Sequence, residues 1–368
     1  MIPLARSTRD GCRPCEPDEG RVVSANYRIL YVGPLWAGST STMRRDALRD
    51  LGHTVVSLDT TPYNARGSRL ARSLRYRLGL GAAVRDLNAA LVEQAKSIRP
   101  DVLWVDSGHY VWPESLRRVK EVCCCVLVHY NPDDPFGRCR AGWRLFRKCL
   151  PIYDVHFVPR DVNVPEYQKA GAPCVVRFPW AYHPSLHRPI ELTETERRAT
   201  GAAVGFVGGW ERERYDAIRF LAHRGIPVRV WSAGWPKSGP SDENLRISYD
   251  SLWGPDYTRA ICAIDINLGF LRKANRDLST TRSVEVPACG AFLLAERTDE
   301  HLALFEEGKE AEFFGSQDEL LDKVRYYLAH PDERRRIAAA GRQRCLRSGY
   351  SNQERLREML QKVTEARS

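Results

Sequence analysis

No stretch of this chain stays apolar for the ~20 residues that a bilayer-crossing helix needs. Near its start, Arg6, Arg9, Asp10, Arg13 and Glu16 break up any apolar run of the kind that heads a secreted protein. The expectation is a cytoplasmic protein, with peripheral attachment to the inner face of a membrane left open. Metal-ligand spacing is equally scarce. Cys12 and Cys15 form a C-x-x-C, but no second Cys or His pair stands near them, so no metal is expected. The chain has eleven cysteines; Cys123 to Cys125, Cys262 and Cys289 lie in apolar settings and read as buried reduced thiols, not disulfides. The loop after the first strand contains neither G-x-G-x-x-G nor G-K-[ST], which removes the dinucleotide fingerprint and the P-loop. Acids are missing altogether between Thr60 and Arg85.

What is present is enough for two domains: 368 residues, 43% of them hydrophobic. The net charge of +10 implies attraction to anions, and nucleoside diphosphates, anionic lipid surfaces and nucleic acid all qualify. Residues 1–26 are polar and aperiodic and read as a flexible extension. Residues 28–33 and 53–58 form two strands around a helix, a βαβ unit whose loop carries Gly38, Ser39 and Thr40. Residues 101–106 and 122–128 are further strands, ending at Ser107-Gly-His109 and at His129-Tyr-Asn-Pro-Asp133-Asp134-Pro. In open α/β sheets ligands bind outside such carboxyl ends, which makes His109, His129, Asp133 and Asp134 candidates for a ligand cleft. Turn chemistry accounts for the Asn-Pro-Asp-Asp run equally well. Residues 180–200 read as a linker. A second strand-then-glycine unit follows at residues 202–209, where Gly208 and Gly209 admit close backbone approach and Arg212 or Arg214 offers a phosphate partner.

Residues 66–78 interleave Arg66, Arg69, Arg72, Arg75 and Arg77 with Leu70, Leu74 and Leu78. At helical spacing this is an apolar stripe flanked by arginine. It suits either a solvated helix packed by its leucines or a helix docking on an anionic membrane.

The stretch that organises the second half is Thr280-Thr-Arg282-Ser-Val-Glu285-Val-Pro-Ala-Cys-Gly290, followed by the apolar run at residues 291–295. It predicts a short helix presenting Arg282 and Glu285 on one face, a glycine stop and a buried strand. Alone, it fits a surface Arg–Glu pair equally well. With Phe305-Glu-Glu-Gly308, Ala311-Glu-Phe-Phe314, Asp318-Glu-Leu-Leu321 and the Tyr326 to Pro331 segment downstream, residues 200–350 resemble the C-terminal half of the group 1 glycosyltransferases, specifically the spore-maturation, CgeB-like branch. Residues 27–190 resemble that superfamily more loosely.

The resemblance implies an α/β protein of the GT-B class, two facing Rossmann-like domains with an interdomain cleft. Its divisions would be a flexible extension over 1–26, an acceptor domain over 27–185, a nucleotide-sugar-binding domain over 186–349, and a helix over 350–368 crossing back to the first domain. It implies a hexosyltransferase moving sugar from a nucleotide-sugar donor to a glycan, lipid-linked or small-molecule acceptor, retaining and metal-independent, with no cofactor besides the donor substrate. Gly208, Gly209, Arg214, Asn267, Lys273, Arg282 and Glu285 would hold the donor, with Glu285 on the ribose. Gly38, Ser39, Thr40 and Asp134 would meet the acceptor. His109, His129 and Asp133 are the catalytic candidates. Eight residues before Glu285, where the superfamily often has a second glutamate, this chain has Asp277. Partners would include a membrane through residues 66–78 but no nucleic acid. The alternatives are a basic nucleic-acid-binding protein, which the scarcity of aromatics among these arginines disfavours, and a GT-B-type sugar-nucleotide epimerase.

Overall fold

The computed structural model describes residues 26–138, 141–236 and 243–365. The expected extension up to residue 25 and the Cys12/Cys15 pair lie outside the described residues. Twelve strands form two parallel six-stranded sheets. The first contains β1 (Arg28–Gly33), β2 (Thr54–Asp59), β3 (Val102–Asp106), β4 (Val126–Tyr130), β5 (Val155–Val158) and β6 (Val175–Arg177), in the order β2-β1-β3-β4-β5-β6. The second contains β7 (Ala202–Val207), β8 (Val228–Trp231), β9 (Leu245–Ser248), β10 (Ile264–Gly269), β11 (Leu293–Glu296) and β12 (Glu312–Phe314), in the order β12-β11-β10-β7-β8-β9. Parallel strands have both faces covered by crossover helices, so they read as continuous apolar runs. β3 and β4 are accordingly buried at every residue. Each sheet reverses its strand order once, at β1/β3 and at β7/β10. Crevices for ligands open at such points, beyond the strands' carboxyl ends.

Side chains alternate between the faces of a strand. Leu30, Val32, Leu103 and Leu127 pack on one side of the first sheet, and Ile29, Tyr31, Trp104, Val128 and Phe157 on the other. That second side is closed by the chain's last helix, Asn352–Glu365. Its Leu356, Met359, Leu360 and Val363, at the spacing of a helical face, join the same cluster. Tyr27 and Thr364 share a hydroxyl hydrogen bond of 2.7 Å, and Gln353 Nε2 donates to Asp50 at 2.9 Å. The C-terminus is therefore core of the first domain. The linker's Trp180 and Tyr182 pack instead into the second domain's core beside Val284 and Ala288.

The residues 122–128 expected as one strand divide differently. A helix runs through Pro113–Cys123, Cys124 turns the chain at φ 48°, and β4 begins at Val126. Cys125 is buried, but Cys124 is exposed. The Val-Cys-Cys-Cys-Val run has no turn residue to mark the break.

Truncating Leu356 to alanine should cost about 2–5 kcal/mol in urea unfolding. The half-exposed Leu302, changed likewise, should stay within about 0.5 kcal/mol. Equal, small effects would show that the last helix is not core.

Candidate functional site

At the end of β7 the chain turns through Gly208 and Gly209. A Cβ at Gly208 would stand 2.6 Å from both Arg282 Nη2 and the Phe206 ring, so only glycine fits. A Cβ at Gly209 would meet nothing within 4 Å, because that residue borders open space. Two guanidiniums bracket the turn. Arg282 Nε donates to the Val207 carbonyl at 2.6 Å, and Arg214 Nη1 donates to the Gly209 carbonyl at 3.0 Å. Their charged centres lie 5.3 and 5.6 Å from the centroid of the same Phe206 ring. Burial, and then the neighbouring Arg282 cation, lower Arg214 to about 10. Among the described residues neither arginine has a carboxylate ion-pair partner. Two cations held together by carbonyls make an anion site that the fold leaves uncompensated.

A cavity of about 180 Å³ opens on this turn, walled by Trp231, Leu252, Trp253, Tyr257, Gly209 and Arg282. Its size and aromatic walls suit a flat heterocycle, with Ser232 and Ser251 at its edge. Glu285, buried one turn along the helix Arg282–Ala288, accepts a hydrogen bond from the Tyr257 hydroxyl at 2.8 Å. His187 Nε2 stands 3.8 Å from its other oxygen, and burial lowers the pKa of that imidazole. The carboxylate thus sits directly behind the cavity wall.

A larger cavity of about 350 Å³ lies between the domains and shares Gly209 and Arg282 with the first. The first domain contributes Thr40, Asp133 and Arg160, and the linker Trp180; the second contributes Arg214, Arg272, Asp277 and Thr281. Arg272 donates to Asp133 and to Glu211, each at 3.1 Å. Arg160 and Asp277, both buried, form an ion pair across the cleft, with Nε donating at 2.7 Å. Arg160 Nη2 donates to the Pro132 carbonyl at 2.9 Å, while its Nη1 is buried without a partner. Burial raises the Asp277 pKa, and the Arg160 charge opposes that shift.

The expected site residues divide. Gly208, Gly209, Arg214, Arg282, Asp133 and Thr40 line the two cavities, and Glu285 stands behind them. Gly38 faces the second domain so closely that a Cβ would touch Trp253 Cβ at 2.8 Å, and Trp36 meets the Trp253 ring edge-on at 4.4 Å. Ser39 is buried as the N-cap of the helix Thr40–Asp50, accepting from Thr42 N. His109 borders a separate cavity of about 180 Å³ at the β1/β3 crevice, with Thr60, Asn64, Asp106 and Ser107. Its ring packs 3.7 Å from that of Trp143, and burial lowers it to about 4, so it is neutral at pH 7.

Four of the expected residues are engaged with other groups of the protein. Asn267 is buried and spends its amide on the Ile261 and Ile264 carbonyls, below the sheet's rim. Lys273 turns away to an ion pair with Glu296, and Arg272 takes the place in the cleft expected of it. Asp134 is a strut: it receives both Arg276 Nε at 2.7 Å and Nη2 at 3.0 Å, and Arg276 also grips Glu166. His129 is wholly buried, its Nδ1 3.2 Å from His156 Nδ1. His156 Nε2 must donate to the Leu150 carbonyl at 2.9 Å, which leaves His156 Nδ1 as the acceptor and His129 Nδ1 as the donor. His129 Nε2 lies 3.5 Å from the Ser107 carbonyl, and burial favours the neutral form of both rings. Arg160, Trp253 and Tyr257 were not foreseen. Only the Trp253-Gly-Pro-Asp-Tyr257 helix start, one turn bringing two aromatics together, offered a signal.

Two facing Rossmann-like domains with a cation-lined cleft define the GT-B class of α/β proteins. Residues 212–361 match the family model described as glycosyl transferase-like. Solved structures share the fold at low identity. The HepE protein of Anabaena, solved in complex with UDP-glucose, aligns with a TM-score of 0.60 at 12% identity over 92% of this chain and 100% of that one. A glycosyltransferase from Rickettsia africae gives 0.64 at 13% identity, over 93% and 98%. A putative UDP-N-acetylglucosamine 2-epimerase from Listeria monocytogenes gives 0.56 at 12%, over 93% and 96%. No curated protein matches the chain in sequence.

The histidine pair predicts acid sensitivity. Burial lowers His156 from 6.5 to about 4 and places His129 well below its ordinary value. Depressed histidines contribute stability fully present above 6.5 and lost as pH falls towards 4; for His156 this amounts to about 3 kcal/mol. Thermal melts from pH 7 to 4.5 should show a fall that is reduced in His156→Gln. An identical fall in the variant would place the acid sensitivity elsewhere.

Proposed function

We propose that the chain is a nucleotide-sugar-dependent glycosyltransferase of the group 1 superfamily, in its CgeB-like branch. The observation that carries the reading is the pair Arg214 and Arg282, folded against one glycine turn beside an aromatic-walled cavity, with no carboxylate ion-pair partner among the described residues. A donor's base and ribose would fill the cavity between Trp231 and Trp253. Glu285 would accept from the ribose hydroxyls, exchanging or sharing its bond from Tyr257. The diphosphate would lie over Gly208 and Gly209, where backbone amides come close and the two guanidiniums meet its charge.

As the glycosidic bond to the diphosphate breaks, negative charge grows on the leaving oxygens. Fixed cations in a partly buried cleft stabilise that charge more than the ground state. Arg214 and Arg282 would supply what a divalent ion supplies in other transferases, which makes the reaction metal-independent. The sugar would project into the interdomain cavity towards Asp133 and Arg160. Asp277, tied to Arg160, occupies the place where the superfamily often has a glutamate, and would orient the sugar through that arginine. A hexose donor and retention of configuration follow from the superfamily resemblance. The acceptor, a glycan, a lipid-linked glycan or a small molecule, would enter from the first domain. The crevice bearing neutral His109 offers a proton acceptor there.

Thermal melts with UDP, GDP and dTDP test the donor site. One nucleotide at 100-fold its Kd should stabilise the fold by about 2.7 kcal/mol. Glu285→Gln, which keeps an acceptor for Tyr257, should weaken that binding by about 1.5–3 kcal/mol, the worth of a charged hydrogen bond. Folded protein unmoved by any nucleotide would overturn the reading. Incubation with the matching nucleotide-sugar and no acceptor separates the rival enzyme class: a new sugar epimer seen by NMR would make the chain an epimerase.

A further inference from the structure

The helix Arg69–Leu78 is turned inside out. Residues four apart share a helical face, so Leu70, Leu74 and Leu78 form one stripe. In a globular protein such a stripe faces the core. Here Leu70 is 72% exposed, Leu74 50%, Leu78 57%, and Leu80 just beyond 61%. The side turned inward carries Arg75, only 8% exposed, whose guanidinium donates to the carbonyls of Tyr63 at 2.7 Å, Asn64 at 3.0 Å and Arg66 at 2.5 Å.

This orientation is locked. A Cβ at Gly142 would stand 2.1 Å from the Tyr76 ring, so that glycine lets the helix sit down on its tyrosine side. Gly79 ends the helix in the left-handed conformation at φ 66°, its Cα against Leu145, and its carbonyl accepts from Trp112 Nε1 at 3.1 Å. The fold therefore holds an apolar row outward by burying an arginine. Arg77 lies next to the row and Arg69 further round the same flank. The segment between Thr60 and Arg85 holds no acid to offset them.

We infer that the outward leucine row of the helix Arg69–Leu78, with Arg69 and Arg77, is a docking surface for an anionic phospholipid bilayer. Charge complementarity and side-chain chemistry select that occupant. Aliphatic leucines at one depth enter the acyl boundary while arginines reach lipid phosphates. Single-stranded nucleic acid needs stacking aromatics, and the helix's one aromatic, Tyr76, is turned towards Gly142. The helix also adjoins the first domain's crevice. Arg75 holds the carbonyl of Asn64, which lines the cavity of His109, and Trp143 of the adjoining turn packs on that imidazole. On the transferase reading, which this consequence alone requires, docking would bring the crevice to headgroup level and favour a lipid-linked acceptor.

Flotation of the full chain with vesicles decides the matter. Vesicles of phosphatidylcholine and phosphatidylglycerol should carry the protein at low salt and lose it at high salt, while pure phosphatidylcholine should not carry it. Leu74→Gln with Leu78→Gln should reduce partitioning more than about tenfold, because two leucines leave the acyl boundary. Arg69→Gln with Arg77→Gln should reduce it roughly tenfold or more. Both variants alter exposed groups and should melt like the parent. No flotation with anionic vesicles at low salt, or variants that float like the parent, would overturn the proposal; so would binding of single-stranded DNA without vesicle binding. Nucleotide-induced shifts, measured on the same proteins, report the donor site separately. Flotation without any nucleotide shift would leave the docking surface standing and remove the donor reading.

Discussion

The buried pair between Arg160 and Asp277 is the contact on which the cleft depends. Each charge lies where water cannot solvate it, and each is supplied by a different domain. A buried ion pair adds little net stability, but losing one partner strands the other and costs about 3–5 kcal/mol. The pair therefore holds the mutual placement of the sheets more than it strengthens either one. Arg276 extends the same device, bidentate to both Asp134 and Glu166 across the cleft. Trp180 ties the linker in, its Nε1 donating to the Ser279 carbonyl at 2.9 Å. All of these contacts converge on residues 272–280, which enter the helix bearing Arg282 and Glu285. These interdomain contacts and Arg282 of the anion site thus lie on one piece of chain.

Against that frame of compensated charges, Arg214 and Arg282 stand apart among the described residues that line the cleft. Arg272 is neutralised by Asp133 and Glu211, Lys273 by Glu296, and Arg276 twice over. Arg214 and Arg282 are held by carbonyls alone, close enough for the second to lower the first. A protein that satisfied charge for stability only would have placed a carboxylate there. On the proposed reading, pre-paired arginines at the rim and carbonyl-held ones at the glycine turn would direct an incoming anion to a single place.

The first domain shows two opposite uses of burial. His129 and His156 face each other through one proton, and burial favours the neutral form of both. His109, at the crevice mouth, is also neutral by burial but borders a cavity. On the outer side Arg75 is buried and the leucines are not. There the usual partition of polar and apolar groups is reversed, and the reversal lies next to the crevice.

Strand runs such as Val-Leu-Trp-Val-Asp and the glycines at 208 and 290 were legible from the chain alone, because strand burial, close approach at Gly208 and the left-handed turn at Gly290 impose residue types locally. So was the placement of Arg282 and Glu285 on one short helix. The packing face of the last helix, Leu356 to Val363, was written in the same periodicity. Tertiary structure decided everything that depends on which distant group arrives. Asp133 and Asp134 are neighbours with one chemistry, yet one lines the cleft and the other is a strut, because Arg272 and Arg276 approach from another domain. Lys273 and Arg272 exchange expected roles for the same reason, and His129 enters the core through its partner on β5. The leucine row was visible as a row, but its direction was not. Periodicity fixes which residues share a face, while only the docking of Arg75 and Tyr76 against the fold determines where that face points.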